Sequence, residues 1–213
     1  MVLLALTQPT CEDEERVKKE SASKPLNYAH VGTTRDPVAV RQLADRGWVV
    51  DAVSVRVGQG DRAFRAACSC LHRWGHFQLG WARVRSDTGT RQGCPVAVTS
   101  RTLFMWSCNP LRIVYSVEQQ PPRFRLPWQP RPARSFRFAH GCVEGHLLAG
   151  EESFGVEMRP DGSVWYDITT FSRPIHPLAI ACYPLTRHFQ KKFGADSAGA
   201  MLAAVAAAAA SGE

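Results

Sequence analysis

Long hydrophobic runs are what this chain most conspicuously lacks. No apolar run approaches the ~20 residues that a helix needs to span a bilayer. No secretory signal is expected, because Met1 to Leu6 is short and is soon followed by Glu12, Asp13, Glu14 and Glu15. Those acids also argue against a transit peptide, which is rich in Arg and Ser and poor in carboxylates. Paired metal knuckles are missing as well. The seven cysteines are scattered, and Cys68 and Cys70 stand too close together for a zinc knuckle and have no second pair. A reduced compartment with mostly buried thiols fits that pattern. Gly58 and Gly60 follow a strand pattern and precede a helix pattern, but the third glycine of a dinucleotide fingerprint is absent. No serine sits in a nucleophile-elbow context, and Cys142 near His140 and His146 is a coincidence of two residue types.

What is present is ordinary globular material. The 213 residues give room for one sizeable domain, with 45% apolar and 21% charged residues. The formal net charge is +7, and most of it comes from Arg123, Arg125, Arg131, Arg134 and Arg137. No acid interrupts that stretch between Glu118 and Glu144, so the basic character belongs to one segment and the body is nearly neutral.

The chain reads as a flexible leader over 1–26, a single α+β domain over 27–194 with a Pro/Arg-rich loop at 119–134, and an Ala-rich helix or tail over 195–213. Asp36-Pro37 opens a short helix that stops before Gly47. Val49 to Val57 alternates as a half-buried strand. Asp61 is placed to cap the next helix, where Phe64, Ala67, Leu71 and Trp74 form an apolar stripe. Phe77, Leu79 and Trp81 alternate again, as do Val96 and Val98, and Leu111 to Val117 puts Ile113 and Tyr115 on one face. The prolines between Pro121 and Pro132 exclude that segment from a central ladder. Two strands flank Pro160-Asp161-Gly162, in which Pro fixes φ and Gly takes the positive φ. From Pro177 the period becomes helical, with Leu178, Cys182, Leu185, Phe189 and Phe193 on one side. Gly194 is expected to interrupt this helix and Ser197 to restart it.

Strands in hairpin order, short helices early and a long helix late spell α+β rather than a parallel sheet. The expected architecture is a curved antiparallel sheet packed on the long C-terminal helix, helix-grip-like, with additional N-terminal helices. Such a fold leaves a pocket between helix and sheet.

The segments NPLRIVY (109–115), EGHLLAGEESF (144–154) and DGSVWYDITTFSRPIHPLA (161–179) resemble an uncharacterised family of plants and bacteria, the domain-of-unknown-function 1990 family. The likeness extends over about Leu26 to Phe193 and includes Trp74 and Phe77. The family carries no settled activity. One plant relative is described as a plastid outer-envelope protein and a candidate cation-selective channel, so the resemblance implies a plastid envelope or cytoplasmic location and puts a channel on the table. Two features depart from the family pattern. His140 stands where an aromatic is usual, and the Pro/Arg-rich segment is expanded.

His140, His146, Glu151 and Glu152 invite a metal reading, yet their spacing fits no closed motif, and no metal or cofactor is expected. His146 with Glu151 is the pair that a hydrolase would use. Arg173, fixed in extended backbone by Pro174, is a candidate to hold an anionic headgroup, or else to pair with Glu151 or Asp167. Arg123, Arg125, Trp128, Arg131 and Arg134 are candidates for contact with an anionic membrane surface, with nucleic acid disfavoured. The leading expectation is a non-enzymatic module that encloses a small apolar or amphipathic ligand. Its lining would come from Tyr115, His146, Glu151, Trp165, Phe171, Leu178 and Tyr183, with Arg173 at the mouth. A transmembrane barrel is disfavoured because the candidate strands read mostly shorter than the about 9–11 residues required.

Overall fold

A computed structural model describes residues 1–120 and 133–211. In chain order the elements are β1 (Leu3–Ala5), α1 (Cys11–Ser21), α2 (Pro37–Gln42), β2 (Val49–Gln59), α3 (Gly60–His72), β3 (Ala82–Arg83) and β4 (Pro95–Thr102). They continue with β5 (Met105–Gln119), β6 (Arg134–Cys142), β7 (Leu148–Met158), β8 (Ser163–Pro174), α4 (Pro177–Ala181) and α5 (Tyr183–Ala210). The sheet runs β2-β8-β7-β6-β5-β4-β3, antiparallel throughout, and β1 pairs β5 at Leu3–Ala5, below the stretch of β5 that β6 occupies. It curls into a half-barrel and leaves β2 and β3 as open edges.

The β7–β8 hairpin turns on Asp161, whose carboxylate accepts from the Ser163 N–H and hydroxyl, and on Gly162 at φ 81°. Asp36 caps α2 by accepting from the Val38 and Ala39 N–H groups. Alternation along β6, β7 and β8 sends Phe136, Phe138, Phe154, Val156, Tyr166 and Ile168 inward, where they meet α3 and α5 in the main core. Gly58 permits that approach. A Cβ there would lie 2.6 Å from the Ala63 Cβ and 3.2 Å from Val205, so a side chain would push α3 and α5 off β2. On the outer face, residues 26–48 cover β7 and β8 with a second cluster of Tyr28, Leu43, Trp48, Ala149 and Phe171.

Five expectations change. The leader is folded: Thr10 and Asp13 close a capping box on α1, and Glu14, Val17 and Ser21 are buried. Glu14 accepts from Arg83 and Thr99, which attracts α1 to β3 and β4. Phe77–Trp81 is not a strand, since Gly75–Phe77 forms a 3-10 turn. Asp61 does not cap α3, whose N-cap is Gln59; it pairs instead with Arg134. The main strands are longer than the pattern suggests, with 15 residues in β5 and 12 in β8. Length therefore does not exclude a barrel, although the sheet stays open.

The fifth change concerns the C-terminal helix. It breaks at Cys182, because Pro184 in the first turn of α5 has no N–H to extend the ladder from α4. It then runs unbroken through Gly194, where a Cβ would come within 3.1 Å of Val53. Gly194 is thus a point of contact with β2. At 28 residues α5 is long and apolar enough, by length and composition, to cross a membrane, which overturns the expectation that no such segment exists. Met201 and Val205 on its inner face are buried in the core.

Candidate functional site

Between the inner face of the sheet and α4–α5 lies a cavity of about 480 Å³, within the usual size of small-molecule sites. The helical wall is the stripe legible in the sequence: Leu178, Cys182, Leu185, Phe189 and Phe193 all line it. Phe77, Trp81, Val98, Leu111 and Leu148 supply apolar surface opposite. Thr170, Ser172 and Gln190 form a polar strip, with the Gln190 amide donating to the Ser172 hydroxyl at 2.9 Å.

The mouth is apolar. Leu103 and Phe104, at the tip of the β4–β5 hairpin, are 64% and 71% exposed and line the cavity together with Leu4 and Met105. Leu178 completes the opposite lip, and Ile175 and Ile180 beside it are also exposed.

Two titratable groups face each other in the cavity wall. His140 on β6 and Glu152 on β7 are direct cross-strand partners, with Nε2 and Oε2 3.7 Å apart. That is too long for a hydrogen bond. Both His140 ring nitrogens are buried without a partner. Burial, with His146 adding repulsion, pushes the His140 imidazole down to about 3. Burial, with the Asp51 charge adding, pushes the Glu152 carboxyl up to about 8. At neutral pH the pair is therefore a protonated acid beside a neutral imidazole. Asp51 is itself held by the two terminal guanidinium nitrogens of Arg187, at 2.6 and 2.8 Å. Cys142 also lines the cavity, and burial raises its thiol pKa well above the ordinary value.

The residues named from the sequence separate by face. His146 and Leu178 line the cavity. The His146 Nδ1 accepts from the Leu148 N–H at 2.9 Å, and burial pushes its pKa down to about 4. Glu151 and Phe171 touch the cavity wall, but their side chains serve the outer face. The Glu151 carboxylate accepts from the Tyr28 hydroxyl, the Gly32 and Thr34 N–H groups and the Thr34 hydroxyl, and Phe171 packs edge-on against Tyr28 and Trp48. His146 and Glu151 are consequently not a catalytic pair.

Tyr115 is displaced by a β-bulge between Ile113 and Tyr115, which turns its ring outward to Thr34 and under Arg35. Trp165 donates to the Ser163 hydroxyl and lies under Arg159. Tyr183 opens α5 outside the cavity lining. Arg173 is not at the mouth and pairs with neither Glu151 nor Asp167; it stacks on Trp48 at 4.3 Å. Arg134 is likewise engaged, on Asp61 and over the Phe64 ring. Arg123, Arg125, Trp128 and Arg131 lie outside the described residues. Among those described, no cluster of His, Cys, Asp and Glu is arranged to hold a metal.

His140 and Glu152 are what sequence reasoning passed over as a ligand-facing pair. The signal was available: Glu152 shares its parity with Phe154 and Val156, and His140 with Phe136 and Phe138, and all four of those phenyl and isopropyl groups point inward.

Residues 27–200 match the family described as a domain of unknown function, DUF1990. The chain belongs to this family. Similar DUF1990 relatives include UPF0548 protein At2g17695 of Arabidopsis thaliana, 30% identical over 95% of this chain and 97% of the relative. A UPF0548 protein of Dictyostelium discoideum is 32% identical over 73% of this chain and 72% of its own. Among solved structures, TTHA0849 from Thermus thermophilus aligns over 76% of this chain and 98% of its own, with a TM-score of 0.46 and 10% identity. Ara h 8.0201 aligns over 74% of this chain and 99% of its own, with a TM-score of 0.43 and 11% identity.

Proposed function

We propose that this DUF1990 protein is a non-enzymatic carrier that encloses a small apolar or amphipathic molecule between its sheet and α4–α5. It exchanges that molecule with a membrane surface, the plastid envelope being the one that the family resemblance implies. The observation that carries this reading is the continuity of an apolar cavity with an exposed apolar mouth. Exposed Leu and Phe at a hairpin tip are costly unless something covers them, and here they border the opening. Arg101, beside Trp106 at the base of the same hairpin, suits an anionic headgroup region.

Binding is favoured over hydrolysis by His146 and Glu151 because the Glu151 carboxylate is engaged on the outer face by Tyr28, Gly32 and Thr34. A surface module is favoured over a channel because the sheet is open and its inner face is occupied by α3 and α5. The test is titration with the uncharged dye Nile red. Wild type is expected to give a saturable blue-shifted signal, and Leu185→Trp, which fills the cavity, to abolish it while the circular dichroism spectrum is unchanged. Equal signals from both proteins would refute the reading.

A further inference from the structure

We infer that the His140–Glu152 pair recognises an uncharged hydroxyl group, so that the preferred ligand is a neutral alcohol with an apolar body rather than a carboxylate anion. This rests on the cavity being a ligand site and adds the chemistry of its polar end. His140 is buried, lines the cavity and leaves both ring nitrogens unpartnered. Glu152 stands directly across the β6–β7 ladder, and the 22% of its side chain that stays accessible borders the same space. With the imidazole proton on Nδ1, Nε2, the nitrogen that faces Glu152, accepts, and the carboxylic acid donates. A hydroxyl is the smallest group that answers both, giving its hydrogen to His140 and accepting the Glu152 proton in a second bond. The protonation states at neutral pH are those that burial imposes on the two groups.

A carboxylate ligand is disfavoured there because, among the described residues, no uncommitted cation borders the pair to balance a buried charge. Arg187, next to the cavity-lining Thr186, is committed to Asp51. The other groups around the pair, Asp51, His76, Cys142, His146 and Tyr166, are acidic, neutral or already bonded. An ether accepts without donating, so it satisfies Glu152 and leaves His140 unpaired. Leaving one buried polar group unmade costs roughly tenfold in affinity or more.

The test compares dodecan-1-ol, 1-methoxydodecane and dodecanoate at pH 7, each displacing Nile red. The alcohol is expected to bind roughly tenfold more tightly than either analogue. In His140→Phe the margin over the ether is expected to shrink to about twofold, and Glu152→Leu is a second variant should the first not fold. Glu152→Gln, which keeps a donor, is expected to retain the margin. Equal affinities in wild type, or tightest binding of dodecanoate, would overturn the inference and leave the carrier reading standing. Failure of Nile red and all three probes to bind would remove both.

Discussion

Glu152 and His140 face each other across the β6–β7 ladder at 3.7 Å, an acid and a base with no hydrogen bond between them in the wall of a mostly apolar chamber. Folding fixes their protonation, so each is a source of pH-dependent stability. Glu152 rises from an ordinary 4.5 to about 8, and the folded chain keeps a proton that the unfolded chain releases. Its contribution is complete below about 4.5 and is lost as pH climbs through about 8. His76 and His140, pushed to about 3, and His146, pushed to about 4, act oppositely. Their contribution is present above the ordinary 6.5 and is lost as pH falls toward 4. Urea midpoints should therefore be highest near pH 6.5 and fall on both sides. In Glu152→Gln the decline between pH 6.5 and 8 should disappear, while the acid decline remains and so does the loss above pH 9, where the unfolded chain's cysteines and then its tyrosines ionise. An unchanged decline between pH 6.5 and 8 would mean that Glu152 ionises normally.

Leu103 and Phe104 make a two-residue turn closed by Thr102 and Met105, with Leu103 at φ 56°. A left-handed leucine is strained, and glycine is the residue such a turn favours. Leu103→Gly should stabilise the fold by about 1 kcal/mol. Combined with Phe104→Ser, it should abolish flotation with vesicles of phosphatidylcholine and phosphatidylglycerol. Undiminished flotation of the more stable variant would separate the mouth from membrane contact.

Glu151 is a structural carboxylate by this account. Replacing it with Leu strands four donors from Tyr28, Gly32 and Thr34 and should cost about 3 kcal/mol or more. Hydrogen exchange should quicken over residues 28–34, and the dye affinity of the folded fraction should stay within twofold, roughly the spread of a structural change outside a site. A selective loss of dye binding would return Glu151 to the ligand site.

Removal of residues 1–21 tests the folded N-terminus. It leaves Thr99 and Arg83 without Glu14 and uncovers Cys108 and Ala97. A loss of about 2–4 kcal/mol is expected from urea denaturation, from the lost burial of Val17 and the uncovering of Ala97 and Cys108. A truncated chain as stable as the full one would restore the reading of this segment as a leader.

The long-range order of the fold was legible wherever period and turn chemistry agreed. Pro160-Asp161-Gly162 set the β7–β8 register, and the spacing from Leu178 to Phe193 identified the helical wall of the cavity. The site was legible only in part: parity with Phe154 and Val156 separates Glu152 from Glu151, but it does not reveal what covers the opposite face. The groups that hold Glu151 there, Tyr28, Gly32 and Thr34, lie 117 to 123 residues away along the chain. Tyr115 shows the same difficulty: one bulged residue reverses its face, and no local signal marks a bulge without glycine. The N-terminal helix was hidden because most of its residues are charged. Its key inward group is a carboxylate, Glu14, whose partner Arg83 lies far along the chain.

Native mass spectrometry of the protein purified from its own source measures the central claim most directly. The account predicts a non-covalent adduct of a neutral, hydroxylated apolar molecule on wild type that is missing from Leu185→Trp. A bare chain in both samples that also takes up no added dodecan-1-ol would contradict it.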